Sequence, residues 1–211
     1  MSVEIMGKLP GGSAAVPDLD YEAILVTKDC LARYAEQGRA YVTTHQGTGI
    51  ITQAGLSATD AILSLHNPAG SGVTGRLWYA GFQAKVATTA AAVVWLAANT
   101  NTIAAIPTGT AATVRNLKLG GGMTNNQGQS LEALTTVTLP VAPVAICSLG
   151  VLLTGAITVA TAVPMLERWF HGCLLIQPGT TLSFQTSTAS AAAASHAEFL
   201  WTEEPLIGSN A

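Results

Sequence analysis

Apolar and polar positions alternate along this chain in short bursts separated by turn residues. Leu182 and Phe184 face one way and Ser183 and Gln185 the other, the period of two that marks a half-buried strand. Ala197, Phe199 and Trp201 share a face opposite His196, Glu198 and Thr202, with Leu200 breaking the polar side. Before these, residues 173–176 form a continuous apolar run that ends at the turn pair Pro178-Gly179. Over residues 77–87, Trp78, Ala80, Phe82, Ala84 and Val86 are expected on one face, opposite Gln83 and Lys85. Leu131, Ala133, Val137 and Leu139 alternate with Glu132, Thr136 and Thr138.

Further strand-like pieces lie at 41–53, on either side of Gly47-Thr48-Gly49, and at 61–66, stopped by Asn67-Pro68. Others fall at 93–96, 145–154, 157–161 and 167–176, and at 111–119, where Leu117 and Leu119 oppose Asn116 and Lys118. A long mobile loop is expected around Gly120-Gly121-Gly122, reaching about Ser130. Some ten or eleven short strands with turns roughly every eight to fifteen residues predict a mainly β protein. The fold class expected is an antiparallel β-sandwich, jelly-roll-like, with an N-terminal arm and one short helix.

Only the beginning of the chain departs from this pattern. Residues 1–17 hold Pro10-Gly11-Gly12 and small side chains and read as an arm. Residues 18–38 read as the helix, with Asp20 as N-cap, Glu22 in the first turn and Gly38 as the stop. Tyr21, Ile24, Leu25, Leu31 and Tyr34 fall on one stripe of that helix, with Lys28 and Asp29 off it. Two readings of the stripe stand: packing on its own domain, or contact with a neighbouring subunit or shell. The division expected is an arm and helix at 1–39 and one sandwich domain at 40–211.

Composition sharpens this picture. Charged residues are 10% of the 211, against a usual value of about 25%, which fits a protein whose faces are covered by partners. Ten of the 21 charges lie in residues 1–39, so the β region is nearly uncharged. The net charge of -3 supplies no electrostatic footprint for nucleic acid, and no basic run addresses an acidic membrane surface. Residues 86–114 and 141–166 are long and uncharged, but Pro, Gly, Asn and Thr interrupt them in the manner of strands and turns. The first twelve residues lack the pattern of a secretory signal. Cys30, Cys147 and Cys173 fit no disulfide framework or zinc spacing and read as buried free thiols.

Candidate chemistry is thin. Adjacent Glu203-Glu204 point to opposite sides of a strand and read as a solvated edge. His171 and Cys173 share a strand face, too few ligands for a metal site. Gly120-Gly121-Gly122 lacks the Lys-Ser/Thr of a phosphate loop. Neither an enzyme nor a cofactor is expected. Trp78, Trp95, Trp169 and Trp201 read as core or interface residues, with a sugar-binding platform as the other reading.

Two segments carry a family resemblance. Residues 64–82, SLHNPAGSGVTGRLWYAGF, and residues 174–205, LLIQPGTTLSFQTSTASAAAASHAEFLWTEEP, together resemble structural proteins of tailed bacteriophages. More narrowly, they resemble the jelly-roll decoration or cement proteins of the capsid exterior. The likeness spans roughly residues 41–205. It implies a virion protein, frequently trimeric, that binds the major capsid protein and bridges neighbouring shell subunits. It brings no catalytic residues. The alternative is a tail, baseplate or head-fibre component that binds a host-surface glycan.

Overall fold

A computed structural model of the chain describes residues 30–45, 51, 53–59, 61–84, 90–99, 107–118, 129–152, 165–189 and 195–206. The arm at 1–17, the first twelve residues of the expected helix, Val86, Leu119, most of the expected loop at 120–130 and the expected strand at 157–161 lie outside these residues. Among them stand one helix, α1 (Cys30–Glu36), and eleven strands: β1 (Ala40–Thr44), β2 (Ala61–Asn67), β3 (Val73–Ala84), β4 (Ala92–Asn99), β5 (Thr108–Ala111), β6 (Val114–Asn116), β7 (Glu132–Thr138), β8 (Val144–Leu152), β9 (Met165–Ile176), β10 (Thr180–Thr186) and β11 (Ser195–Pro205).

The strands form two sheets, one ordered β6-β1-β11-β3-β9 and the other β5-β7-β2-β10-β4-β8. Every pairing between them is antiparallel. Four pairs are nested: β1 with β11, β2 with β10, β3 with β9, and β4 with β8. The chain is thus one long hairpin folded across two layers, which is jelly-roll topology. Between β4 and β8, at the tip of that hairpin, β5, β6 and β7 extend the sheets. β7 adds to β2, β5 adds to β7, and β6 adds to β1.

Local chemistry explains the element ends. α1 stops where Gly38 takes a φ of +72°. Gly38 N–H donates to Ala35 O at 3.0 Å and Arg39 N–H to Tyr34 O at 2.8 Å, the paired bonds of a Schellman cap. The chain turns from β9 into β10 through Gln177-Pro178-Gly179-Thr180. Gly179 has a φ of +82°, and Thr180 N–H donates to Gln177 O at 3.1 Å, a type II turn. That turn carries the chain from one sheet to the other rather than closing a hairpin within a sheet.

The inward faces meet in one main core, with Ala61, Val137 and Leu139 in a smaller cluster of their own. Phe184 of β10 stacks on Phe199 of β11 with ring centroids 4.6 Å apart, and Phe82 and Leu182 close around them. Burying such a side chain fully stabilises the fold by about 1.5–3 kcal/mol. Ala197, Phe199 and Trp201 face inward as the alternation predicts, and so do Leu131, Ala133, Val137 and Leu139.

Two expectations fail on register. Trp78 does not share the inward face of Ala80, Phe82 and Ala84. It is the unpaired residue of a bulge, since Trp201 pairs with Leu77 and Leu200 with Tyr79. The extra residue reverses the alternation, so Leu77 takes the core position, and Trp78 donates from Nε1 to Thr202 Oγ1 at 3.0 Å. The strand expected over 111–119 is instead two short strands in different sheets, with a crossing at Ala112 and Thr113. Leu117 follows β6 and is half-buried.

Candidate interaction surfaces

β8 and β9 end their respective sheets on the same side of the sandwich. They lie close together there: a Cβ on Gly150 of β8 would sit 2.9 Å from Leu166 Cδ2 of β9. The burial pattern of β8 is the opposite of a core strand. Val144 is 59% exposed, and Ile146 and Val151 are exposed with it. On β9, Met165, Trp169 and Leu175 are exposed. With Val141 just before β8, they make up every exposed large apolar residue among the described residues except Ile51. Apolar side chains are thus gathered on two strands that, among the described residues, lie at sheet edges, the combination that edge strands ordinarily avoid.

Trp169 is held in place. Its ring packs on Tyr79 at 4.9 Å, and His171 stacks on it at 6.1 Å and 27°. Tyr79 donates its hydroxyl to Glu167 Oε2 at 3.1 Å. Burial, then the neighbouring Glu198 and Glu167 carboxylates, push the Tyr79 hydroxyl far above its ordinary pKa, so it stays a donor. Beside this cluster β9 bulges. Leu77 pairs with Leu174 and Tyr79 with Trp169, so Trp78 alone faces residues 170–173. His171 and Gly172 take φ values of +51° and +75° there, and Gly172 lets the Trp78 ring approach closely.

A second surface lies at the end of α1. A groove of about 500 Å3 is lined by Arg33, Tyr34 and Gln37 of the helical turn, by Arg39, and by Arg76, Glu204 and Pro205 of the sheet. Arg76 Nε bonds to Glu204 Oε2 at 2.6 Å. The Arg39 guanidinium lies 5.7 Å from the centre of the Tyr34 ring. Of the expected contact residues, Leu31 and Tyr34 are half-buried and Tyr34 lines this groove. Tyr21, Ile24 and Leu25 lie outside the described residues.

The other expectations for polar residues divide. Glu203 and Glu204 are not a solvated edge. Glu203 is buried, and its Oε1 accepts from Leu131 N–H at 2.9 Å and from Trp201 Nε1 at 3.2 Å. Ser130 N–H also donates to this carboxylate, at 2.8 Å to Oε2. Neighbouring residues on β11 do point opposite ways, but Glu203 points into the molecule. The thiols are not buried: Cys30 and Cys147 are half-buried and Cys173 is exposed. His171 and Cys173 are both exposed on the β9 bulge. Among the described residues no three His, Cys, Asp or Glu side chains gather in a way that could hold a metal ion. No helix there is long and apolar enough to cross a membrane. Of the four tryptophans only Trp201 belongs to the core; Trp78 and Trp95 are half-buried and Trp169 is 50% exposed.

Strand order and edge surfaces define the class: an antiparallel jelly-roll sandwich with apolar side chains massed on one pair of edge strands. No family model and no curated protein matches the chain. A solved structure described as "KBV activated particle at acidic pH" is similar at 9% identity over 100% of this chain and 88% of that one, with a TM-score of 0.22. That is too low to define a shared fold, and the likeness adds nothing to what the strand order establishes.

Proposed function

We propose that this chain is a virion structural protein, a decoration or cement protein that binds the outside of a bacteriophage shell and bridges neighbouring capsid subunits. The observation that carries the reading is the apolar strip on β8 and β9, where Val144, Ile146, Val151 and Trp169 stand exposed on strands that end their sheets among the described residues. Apolar burial and strand-edge pairing supply association without chemistry, so the protein acts by binding and not by catalysis. The sequence resemblance and the 10% charge content support the same reading. A homotrimer in contact with the major capsid protein is the assembly proposed.

The test is the copy number of the chain relative to the major shell protein in gradient-purified particles. Hundreds of copies per particle are expected. A handful would place the protein in a tail or fibre, and absence from particles would overturn the reading. In the same particles the double variant Ile146→Glu/Trp169→Glu is expected to stay folded and to lose occupancy on the shell. A specific feature favours a second reading, that of a glycan-binding tail or fibre component. Trp169 presents half its surface on a fixed aromatic cluster beside the Glu167 carboxylate. Titration with sugars, read as quenching of Trp169 fluorescence and abolished by Trp169→Ala, separates that reading from the first.

A further inference from the structure

The outward residues of β11, β3 and β9 form two rows across the sheet. Glu198, Gly81 and Glu167 pair in one row, and Leu200, Tyr79 and Trp169 in the next. Gly81 carries no side chain, and Tyr79 fills the space above it: a Cβ there would lie 2.7 Å from the Tyr79 hydroxyl oxygen. That hydroxyl therefore stands between two carboxylates. It donates to Glu167 Oε2 at 3.1 Å, and a single proton serves one acceptor at a time. Burial and both carboxylates keep the proton on the hydroxyl, so Tyr79 neutralises neither of them.

Neither row holds a lysine or arginine. Arg168, next to Glu167 in the chain, turns to the opposite face, its guanidinium 5.6 Å from the centre of the Phe170 ring. Arg76 is engaged by Glu204. Among the described residues neither Glu167 nor Glu198 has an ion-pair partner. Beside them Trp169 is 50% exposed, its ring braced by Tyr79 and His171. An aromatic face attracts cations, and a ring already held in place loses little freedom when one lies on it.

We propose that Trp169 and Glu167 receive an arginine side chain of the shell partner, its guanidinium plane on the indole and its N–H fork on the carboxylate, with Glu198 adding to the local negative charge. A planar guanidinium stacks and forks at once, which the compact ammonium of lysine does not. A sugar ring would stack but leave both carboxylates uncompensated. A metal ion finds only two anionic groups here. The proposal rests on the assembly reading above and names the chemistry of its contact.

The test uses the full-length, isotope-labelled chain at low salt, with the peptide acetyl-Gly-Arg-Gly-amide as probe. The indole N–H resonance of Trp169 is identified by its loss in Trp169→Phe. It is expected to shift saturably, with a dissociation constant of about 10 mM. The citrulline peptide, equal in shape but uncharged, should bind at least about tenfold more weakly. Glu167→Gln keeps an acceptor for Tyr79 and should weaken the arginine peptide about tenfold as well. Far-UV circular dichroism confirms that each variant is folded. No saturable shift up to about 100 mM, equal binding of the citrulline or lysine peptide, or indifference to Glu167→Gln would each overturn the site. Saturation by methyl glycosides alone would replace it with a sugar platform. Copy number on purified particles reads the assembly separately. A chain abundant on particles that ignores the peptide loses the arginine site and keeps the assembly reading. A chain that binds the peptide yet is absent from particles loses the assembly reading, and with it the shell as the source of the arginine.

Discussion

Replacing Glu203 by alanine tests how the end of β11 is held to the start of β7. The carboxylate is 4% exposed and receives three donors: the backbone N–H groups of Ser130 and Leu131 and the indole N–H of Trp201. In Glu203→Ala, the Leu131 and Trp201 donors stay buried without an acceptor, at about 1–3 kcal/mol each. Ser130 is only partly buried and turns to water. The variant also escapes the desolvation of a buried carboxylate, which offsets part of the loss. The balance is a destabilisation of about 3 kcal/mol, or roughly a hundredfold in the folding equilibrium. Glu203→Gln keeps one acceptor oxygen and is expected to cost about half as much. Urea unfolding measures both values, and hydrogen exchange at the Leu131 amide reports the local effect. The reasoning fails if Glu203→Ala unfolds within about 1 kcal/mol of the parent and the Leu131 amide keeps its protection.

Two more outcomes follow from the core. Phe184→Ala removes a ring packed between Phe82 and Phe199 and should cost about 3–5 kcal/mol by urea unfolding; a loss below about 1 kcal/mol would mean the rings are not packed as described. His66 is buried on β2 with Nδ1 2.8 Å from Thr181 Oγ1, and burial lowers its pKa although Glu132 opposes the shift. The native state therefore takes up a proton less readily than the unfolded chain, whose imidazole titrates near about 6.5. Stability should fall as the pH drops below that value. His66→Asn should flatten the slope, leaving the share from His45, which burial and the nearby His196 also push down. An unchanged slope would remove His66 from the account.

Much of the fold can be read from single strands. The alternations in β7, β10 and β11 place their inward residues correctly, but β10 is not half-buried as expected: Ser183 and Gln185 on its other face are buried as well. β3 misleads because the bulge at Trp78 is a property of its pairing with β11 and β9, and no residue of β3 alone announces it. β8 is read correctly as a strand but not placed: composition does not record that, among the described residues, this strand lies at a sheet edge. Glu203 reads as surface because its donors come from Ser130 and Leu131, far away in sequence. The arginine groove is illegible for the same reason: residues 33, 39, 76 and 204 meet only when the two ends of the chain are brought together.

The nested strand order has a consequence for how the molecule comes into being. β11 is the last of the described strands, yet it lies between β1 and β3 and is paired along its length with the latter. A chain emerging from the ribosome therefore holds β1 and β3 apart, each missing the neighbour it needs, until β11 has been synthesised. Contacts spanning so much sequence favour slow folding, in the millisecond-to-second range typical of all-β topologies. During synthesis the exposed flanks of β1 and β3 are the places where a chaperone, or a second nascent copy, would find purchase first.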